Sequence, residues 1–136
     1  MFFFSTDAFS ANETSKIIVP ALTYLFPTLS TDQLDFWHIF IRKCGHITEY
    51  FILTLLVLRS FRYEEIDPLE SVQPQRLFRA MTFVLMAALL DEWHQSFTAS
   101  RGASIVDVGY DCVGGVLALW LVTVYETWRI RSHSVL

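Results

Sequence analysis

The sequence predicts an all-α fold, a polytopic transmembrane helical bundle. Three observations predict it. Apolar residues fall in long blocks rather than in short amphipathic repeats. Three of these blocks, Phe36 to Phe61, Leu77 to Phe97 and Ile105 to Trp128, are long enough to span a bilayer. Charged residues make up only 18% of the 136-residue chain, against about 25% in soluble domains.

The N-terminal part is mixed. Met1 to Phe4 is a short greasy stub, and Ser5 to Ser15 is rich in Ser, Thr, Asp and Asn and reads as loop. No basic n-region or full apolar h-region precedes that loop, so the stub does not read as a signal peptide. Ile17 to Phe26, bounded by Pro20 and Pro27, is too short to cross a bilayer and is expected at its surface.

The first long helix carries Lys43, His46 and Glu49 in its first half, and its second half, Phe51 to Leu58, suits lipid. A polar connection with two prolines, Arg59 to Arg79, follows. The second helix, Leu77 to Phe97, measures about 31 Å at about 1.5 Å per residue, matching a hydrocarbon core of about 30 Å. Its apolar centre gives way to Asp91-Glu92-Trp93-His94-Gln95. A tight loop, Thr98 to Ser104, contains Arg101 and Gly102. The third helix opens with Asp107 and Asp111, and Trp120, Tyr125 and Trp128 lie toward its far end, where interfacial aromatics are common.

Orientation follows from the basic residues. Three successive spans put the 59–79 connection and the C-terminal tail on one side, with Arg59, Arg62, Arg76, Arg79, Arg129 and Arg131. Lys16, Arg42, Lys43 and Arg101 fall on the other. Six against four points to a cytoplasmic 59–79 loop and tail and an extracytoplasmic 98–104 loop. The net charge of −4 decides nothing by itself, but the lack of a dense basic run makes nucleic acid an unexpected partner. Cys44 and Cys112, the only cysteines, fall in predicted helices and give neither a disulfide framework nor a zinc-finger spacing.

This topology brings the ionisable groups of three segments to one membrane depth. Lys43, His46, Glu49 and Tyr50 recur at steps of three and four and share a helix face. Asp91 and Gln95 are four apart, Glu92 and Gln95 three apart, and Asp107 and Asp111 four apart. Such faces should turn away from lipid, where a charge costs about 2.5 kcal/mol or more. Lys43 and Arg101 oppose Glu49, Asp91, Glu92, Asp107 and Asp111, a surplus of three negative charges if all ionise. Shared protons, a bound cation, a cationic ligand group or outside water would relieve it. At least one of Glu49, Asp91 and Glu92 is expected within reach of Lys43 or Arg101.

Plainer readings stand beside this one. Arg42, Glu126 and Arg129 read as side chains reaching the interface. His46 is as well explained by a structural hydrogen bond as by catalysis, and His94 points away from Asp91 and Gln95. Asp107 also suits a first helical turn. Gly114 and Ala118 form a small-x-x-x-small pair, whose ordinary role is close helix packing.

Read in order, these residues resemble the VanZ-like family. The matching stretches are Lys43-Cys-Gly-His46-Ile-Thr-Glu49-Tyr50, Asp91-Glu92-Trp-His-Gln95-Ser-Phe, Arg101-Gly-Ala-Ser104 and Asp107-Val-Gly-Tyr-Asp111-Cys-Val-Gly114. The likeness runs from about Phe2 to the final helix, and Phe2 to Ser5 looks like the tail of the family's first transmembrane helix. Asp111 stands where the family commonly has Asn. The resemblance implies one VanZ-like membrane domain over residues 1–136, with three full spans here and four in the complete protein. It also implies a multi-pass protein of a bacterial cell membrane, with a namesake associated with low-level teicoplanin resistance.

Three functions compete. The first is a factor lowering sensitivity to teicoplanin-type glycopeptides at the outer leaflet, with membrane lipids, a lipoglycopeptide or a lipid-linked envelope component as ligand. Its ligand-binding set is Lys43, His46, Glu49, Tyr50, Asp91, Glu92, Gln95, Arg101, Ser104, Asp107 and Asp111. The second is an enzyme acting on a lipid headgroup. Glu49 or Glu92 would be its base, His46 its acid or base, and Lys43 or Arg101 its anion clamp, with Asp91 a further catalytic candidate. The third is a proton- or cation-coupled carrier, for which so few helices would require an oligomer. The sequence assigns no cofactor and defines no metal ligands.

Overall fold

The computed structural model describes residues 11–62, 73–97 and 104–133. The expectations for Phe2 to Ser5, for Arg101 and for the middle of the 59–79 connection lie outside these. Among the described residues the fold is all helical: α1 (Ala11–Leu25), α2 (Thr31–Arg62), α3 (Pro74–Gln95) and α4 (Ile105–His133).

The three expected long helices are present with shifted bounds, and the second ends at Gln95, two residues before Phe97. α2 starts five residues before Phe36, and Asp32 in its first turn suits the helix dipole. α3 starts at Pro74, where a missing N–H leaves nothing unsatisfied. The polar connection is correspondingly shorter than 59–79, because both helices extend into it. The loop expected over Ser5 to Ser15 is also corrected, since residues 11–15 belong to α1. Polar composition there is outweighed by docking on α2. Arg42 Nη1 donates to Thr14 Oγ1 at 2.8 Å, and His38 Nε2 lies 3.3 Å from the same hydroxyl. Arg42 thus ties α1 to α2 rather than simply reaching an interface.

Helical periodicity explains the packing. Tyr50, Thr54 and Leu58 form one buried stripe on α2. Arg76, Ala80, Val84, Ala88 and Glu92 form another on α3, continued by Gln95. On α4 the buried positions are Val108, Asp111, Gly114, Gly115 and Ala118. α4 packs most extensively on α2 and then on α3. Gly114 makes the first of these contacts possible, since a Cβ there would overlap the Ile47 carbonyl oxygen of α2. The close approach expected for Gly114 is therefore backbone against backbone.

The interior joins a small apolar cluster around Tyr50, Val84, Ala88 and Val108 to buried polar groups, and many large apolar side chains lie on the exterior. Buried positions include Ala80, Ala88, Ala118, Thr54, Arg76, Glu92 and Asp111, whereas Phe40, Ile52, Leu56, Phe83, Met86, Val116 and Trp120 are exposed. Water-soluble domains show the opposite distribution. The hydroxyls of exposed Thr48 and Thr82 donate to the carbonyls of Cys44 and Phe78 four residues back, at 2.8 and 2.9 Å. This arrangement hides a donor from an apolar surround. One helix, over Ile105–Ser132, is long and apolar enough to cross a membrane by length and composition. In α2 and α3, charged residues interrupt the apolar run.

At the end of the bundle formed by the C-terminal half of α2, the start of α3 and the C-terminal half of α4, Arg76 Nη2 donates to Glu126 Oε2 at 2.5 Å. Their side chains are 5% and 12% exposed. The expectation that Glu126 reaches the interface is thus corrected: buried Arg76 holds it inward. Arg79 sits over the Phe61 ring, 4.5 Å from its centre.

Candidate functional site

The other end of the bundle collects the acidic residues. Lys43, His46 and Tyr50 lie on the α2 face that meets α4, because three- and four-residue steps keep them in phase. Lys43 Nζ pairs with Asp107 of α4, both partly exposed, and lies 5.0 Å from the centre of the Tyr110 ring. One turn deeper, His46 Nδ1 lies 3.3 Å from Asp111 Oδ1. Asp107 and Asp111 are four apart on α4, so the helices meet through two stacked pairs, Lys43 with Asp107 and His46 with Asp111. Asp111 is fully buried, and its second oxygen, Oδ2, has no hydrogen-bond partner among the described residues.

α3 supplies the third wall. Gln95 Nε2 donates to Asp91 Oδ2 at 2.8 Å across one helical turn. Glu92, 5% exposed, accepts at Oε2 from the Ser104 backbone N–H at 2.6 Å. That bond fastens the start of α4 to the end of α3. Glu92 Oε1 is buried without a partner among the described residues, as is the Tyr50 hydroxyl. Half-buried Glu49 interacts electrostatically with His46, Asp91 and Asp111, which belong to three different helices. Glu92 interacts in the same way with Asp91, Asp107 and Asp111.

The described members of the predicted constellation therefore converge on one end of the bundle, in paired rather than all-to-all contact. The carboxylate partner of Lys43 is Asp107, on the helix that packs most extensively on α2. Whether Glu49, Asp91 or Glu92 reaches Arg101 lies outside the described residues. Two contacts escaped the sequence reading. Ser104 acts through its backbone N–H, at a helix-start position where Ser is common. Tyr110 joins Lys43 from one turn beyond Asp107, a spacing that would have revealed it.

Chemically, the cluster is rich in acceptors and poor in donors. Once Lys43 and Asp107 are paired, Glu49, Asp91, Glu92 and Asp111 remain on the acceptor side, against His46, Gln95 and the Tyr50 hydroxyl. Among the described residues no group of three or more His, Cys, Asp or Glu side chains has the geometry to hold a metal ion.

A family model described as VanZ/LLP1 matches residues 1–126, a stretch that contains every residue of this cluster. The chain belongs to the VanZ/LLP1 family. Neither the curated proteins nor the solved structures contain a match to it. VanZ/LLP1 membership and the apolar helix over Ile105–Ser132 together support a membrane protein.

Proposed function

We propose that this VanZ/LLP1 protein is a multi-pass membrane protein that binds a donor-bearing headgroup at its acidic end. In this reading α2, α3 and α4 are three full spans of a single domain, and the acidic end faces the outer leaflet of a bacterial membrane. The observation that carries it is the set of buried oxygens without partners: Tyr50 Oη, Glu92 Oε1 and Asp111 Oδ2. A buried polar atom left unmatched costs about 1–3 kcal/mol, so these three favour a hydrogen-bonding ligand, with donors for the two carboxylate oxygens. Amino, amide and hydroxyl groups are such donors, and both glycopeptides and lipid-linked envelope components carry them. Binding of either would protect the envelope from a teicoplanin-type drug, by sequestering the drug or by shielding its target.

The test joins binding and protection. Glu49→Gln and Asp91→Asn keep side-chain shape and remove charge. In membranes carrying wild-type protein, teicoplanin sensitivity should fall. Either variant, at equal protein level, should restore sensitivity. Full protection by both folded variants would remove the main support for this function.

A second reading rests on His46 beside Asp111. A carboxylate next to an imidazole orients it for proton transfer, as a general base acting on a headgroup requires. Conversion of a lipid headgroup by purified protein, lost in His46→Gln, would favour this enzyme over a binding protein. Cation-dependent flux in vesicles would favour a carrier over both.

A further inference from the structure

Between α2, α3 and α4, at the end opposite the acidic cluster, lies a cavity of about 260 Å³. Leu55, Leu58 and Val122 form its apolar walls, and Arg59, Arg76 and Glu126 line its polar side with Tyr125. This volume is just below the range of about 300–1,000 Å³ typical of small-molecule sites, so it suits a headgroup rather than a whole lipid. Arg76 and Glu126 neutralise each other. Arg59 is exposed and has no ion-pair partner among the described residues, leaving the lining with one net positive charge.

We infer that this cavity binds the phosphodiester of an anionic membrane lipid, with Arg59 as the anion contact. The inference rests on the membrane-spanning reading above, which places the cavity at the cytoplasmic leaflet. A guanidinium beside a fixed Arg–Glu pair offers a fork of donors that matches phosphate oxygens. The Leu55, Leu58 and Val122 walls meet the first carbons below the headgroup, an amphipathic fit that free phosphate lacks. Tyr125, half outside the bundle, stands where aromatic residues meet headgroups.

The experiment uses the full chain in nanodiscs of phosphatidylcholine alone or mixed with phosphatidylglycerol, with bound lipid counted by native mass spectrometry. Wild type should retain phosphatidylglycerol over phosphatidylcholine. Arg59→Gln should weaken that preference about fivefold, the effect of one arginine at a membrane surface. Arg131→Gln, at the same end and outside the cavity lining, should leave it largely intact. An equal loss in both variants would mean diffuse surface attraction and would overturn the site. Displacement of the lipid by millimolar inorganic phosphate would reassign the cavity to a free anion. The 63–72 segment carries Glu64, Glu65, Asp67 and Glu70. Lipid retention that appears only when these four are neutralised would make the chain's own acids the occupant. Absence of the protein from the membrane fraction would instead count against the spanning reading, so the two failures are separable.

Discussion

The two ends of this bundle handle buried charge differently. At the arginine end, Arg76 and Glu126 form one pair across α3 and α4, nearly out of contact with solvent. At the acidic end, Lys43 and Asp107 are paired but roughly a quarter exposed, and among the described residues the deeper carboxylates outnumber the cations. Complementary charges at one end close a structure. At the other, Tyr50 Oη, Glu92 Oε1 and Asp111 Oδ2 are buried without hydrogen-bond partners among the described residues. The same three helices therefore carry a paired lock at one end and, in the proposed reading, a binding site at the other.

The largest expected effect is on the lock. Removing one member of a buried pair strands the other, so Glu126→Gln should destabilise the bundle by about 3–5 kcal/mol, measured as thermal unfolding in detergent. Arg76→Met with Glu126→Leu should recover most of that loss. A single variant that unfolds like wild type would erase the contrast between the ends. Gly114→Ala comes next, with a loss of up to about 3 kcal/mol, because the new methyl meets the Ile47 backbone, which cannot rotate away. Gly115→Ala should be milder, since its neighbours are the Val84 and Thr54 side chains at 3.1 and 3.3 Å. The pair to compare is a wild-type Gly114→Ala melt against a shifted Gly115→Ala melt; that order would place the tight contact on the wrong residue.

Smaller effects sharpen the acidic end. Lys43→Gln should change stability by at most about 1 kcal/mol, as partly exposed pairs do. Its loss should nevertheless alter ligand binding, because it removes a cation of the site. Smallest of all, Gly45→Ala should stabilise by about 0.5–1 kcal/mol, since nothing lies within 4 Å of the new carbon and alanine favours a helix. A destabilised Gly45→Ala would reveal a neighbour at that face, such as a second copy of the chain.

Much of this arrangement was legible in the sequence. Apolar block length marked α2, α3 and α4, and three- and four-residue steps placed His46, Glu49 and Tyr50 with Asp91, Glu92 and Asp111. The partner choices were not legible. Depth and phase bring Lys43 near several acids, but only the relative closeness of α2 and α4 selects Asp107. Glu126 looked like an interfacial residue because its partner, Arg76, is fifty positions away in a connection read as polar loop. α1 was hidden in part by its Ser, Thr and Asn content, which describes a loop as well as a helix docked through Thr14.

The Gly114 contact also distributes stiffness unequally around the acidic end. α2 and α4 meet there through backbone atoms, one turn from Asp111, so their separation is set by backbone van der Waals contact rather than by rotamers. α3 meets the same pair through the side chains of Val84 and Met81, which can change shape. The His46 and Asp111 wall therefore stands beside a backbone contact, and Asp91 and Glu92 lie on the helix packed through side chains. In the proposed reading, a substitution at Gly114 would shift the imidazole–carboxylate edge of the site, whereas one at Val84 or Met81 would be taken up by side-chain packing on the α3 side.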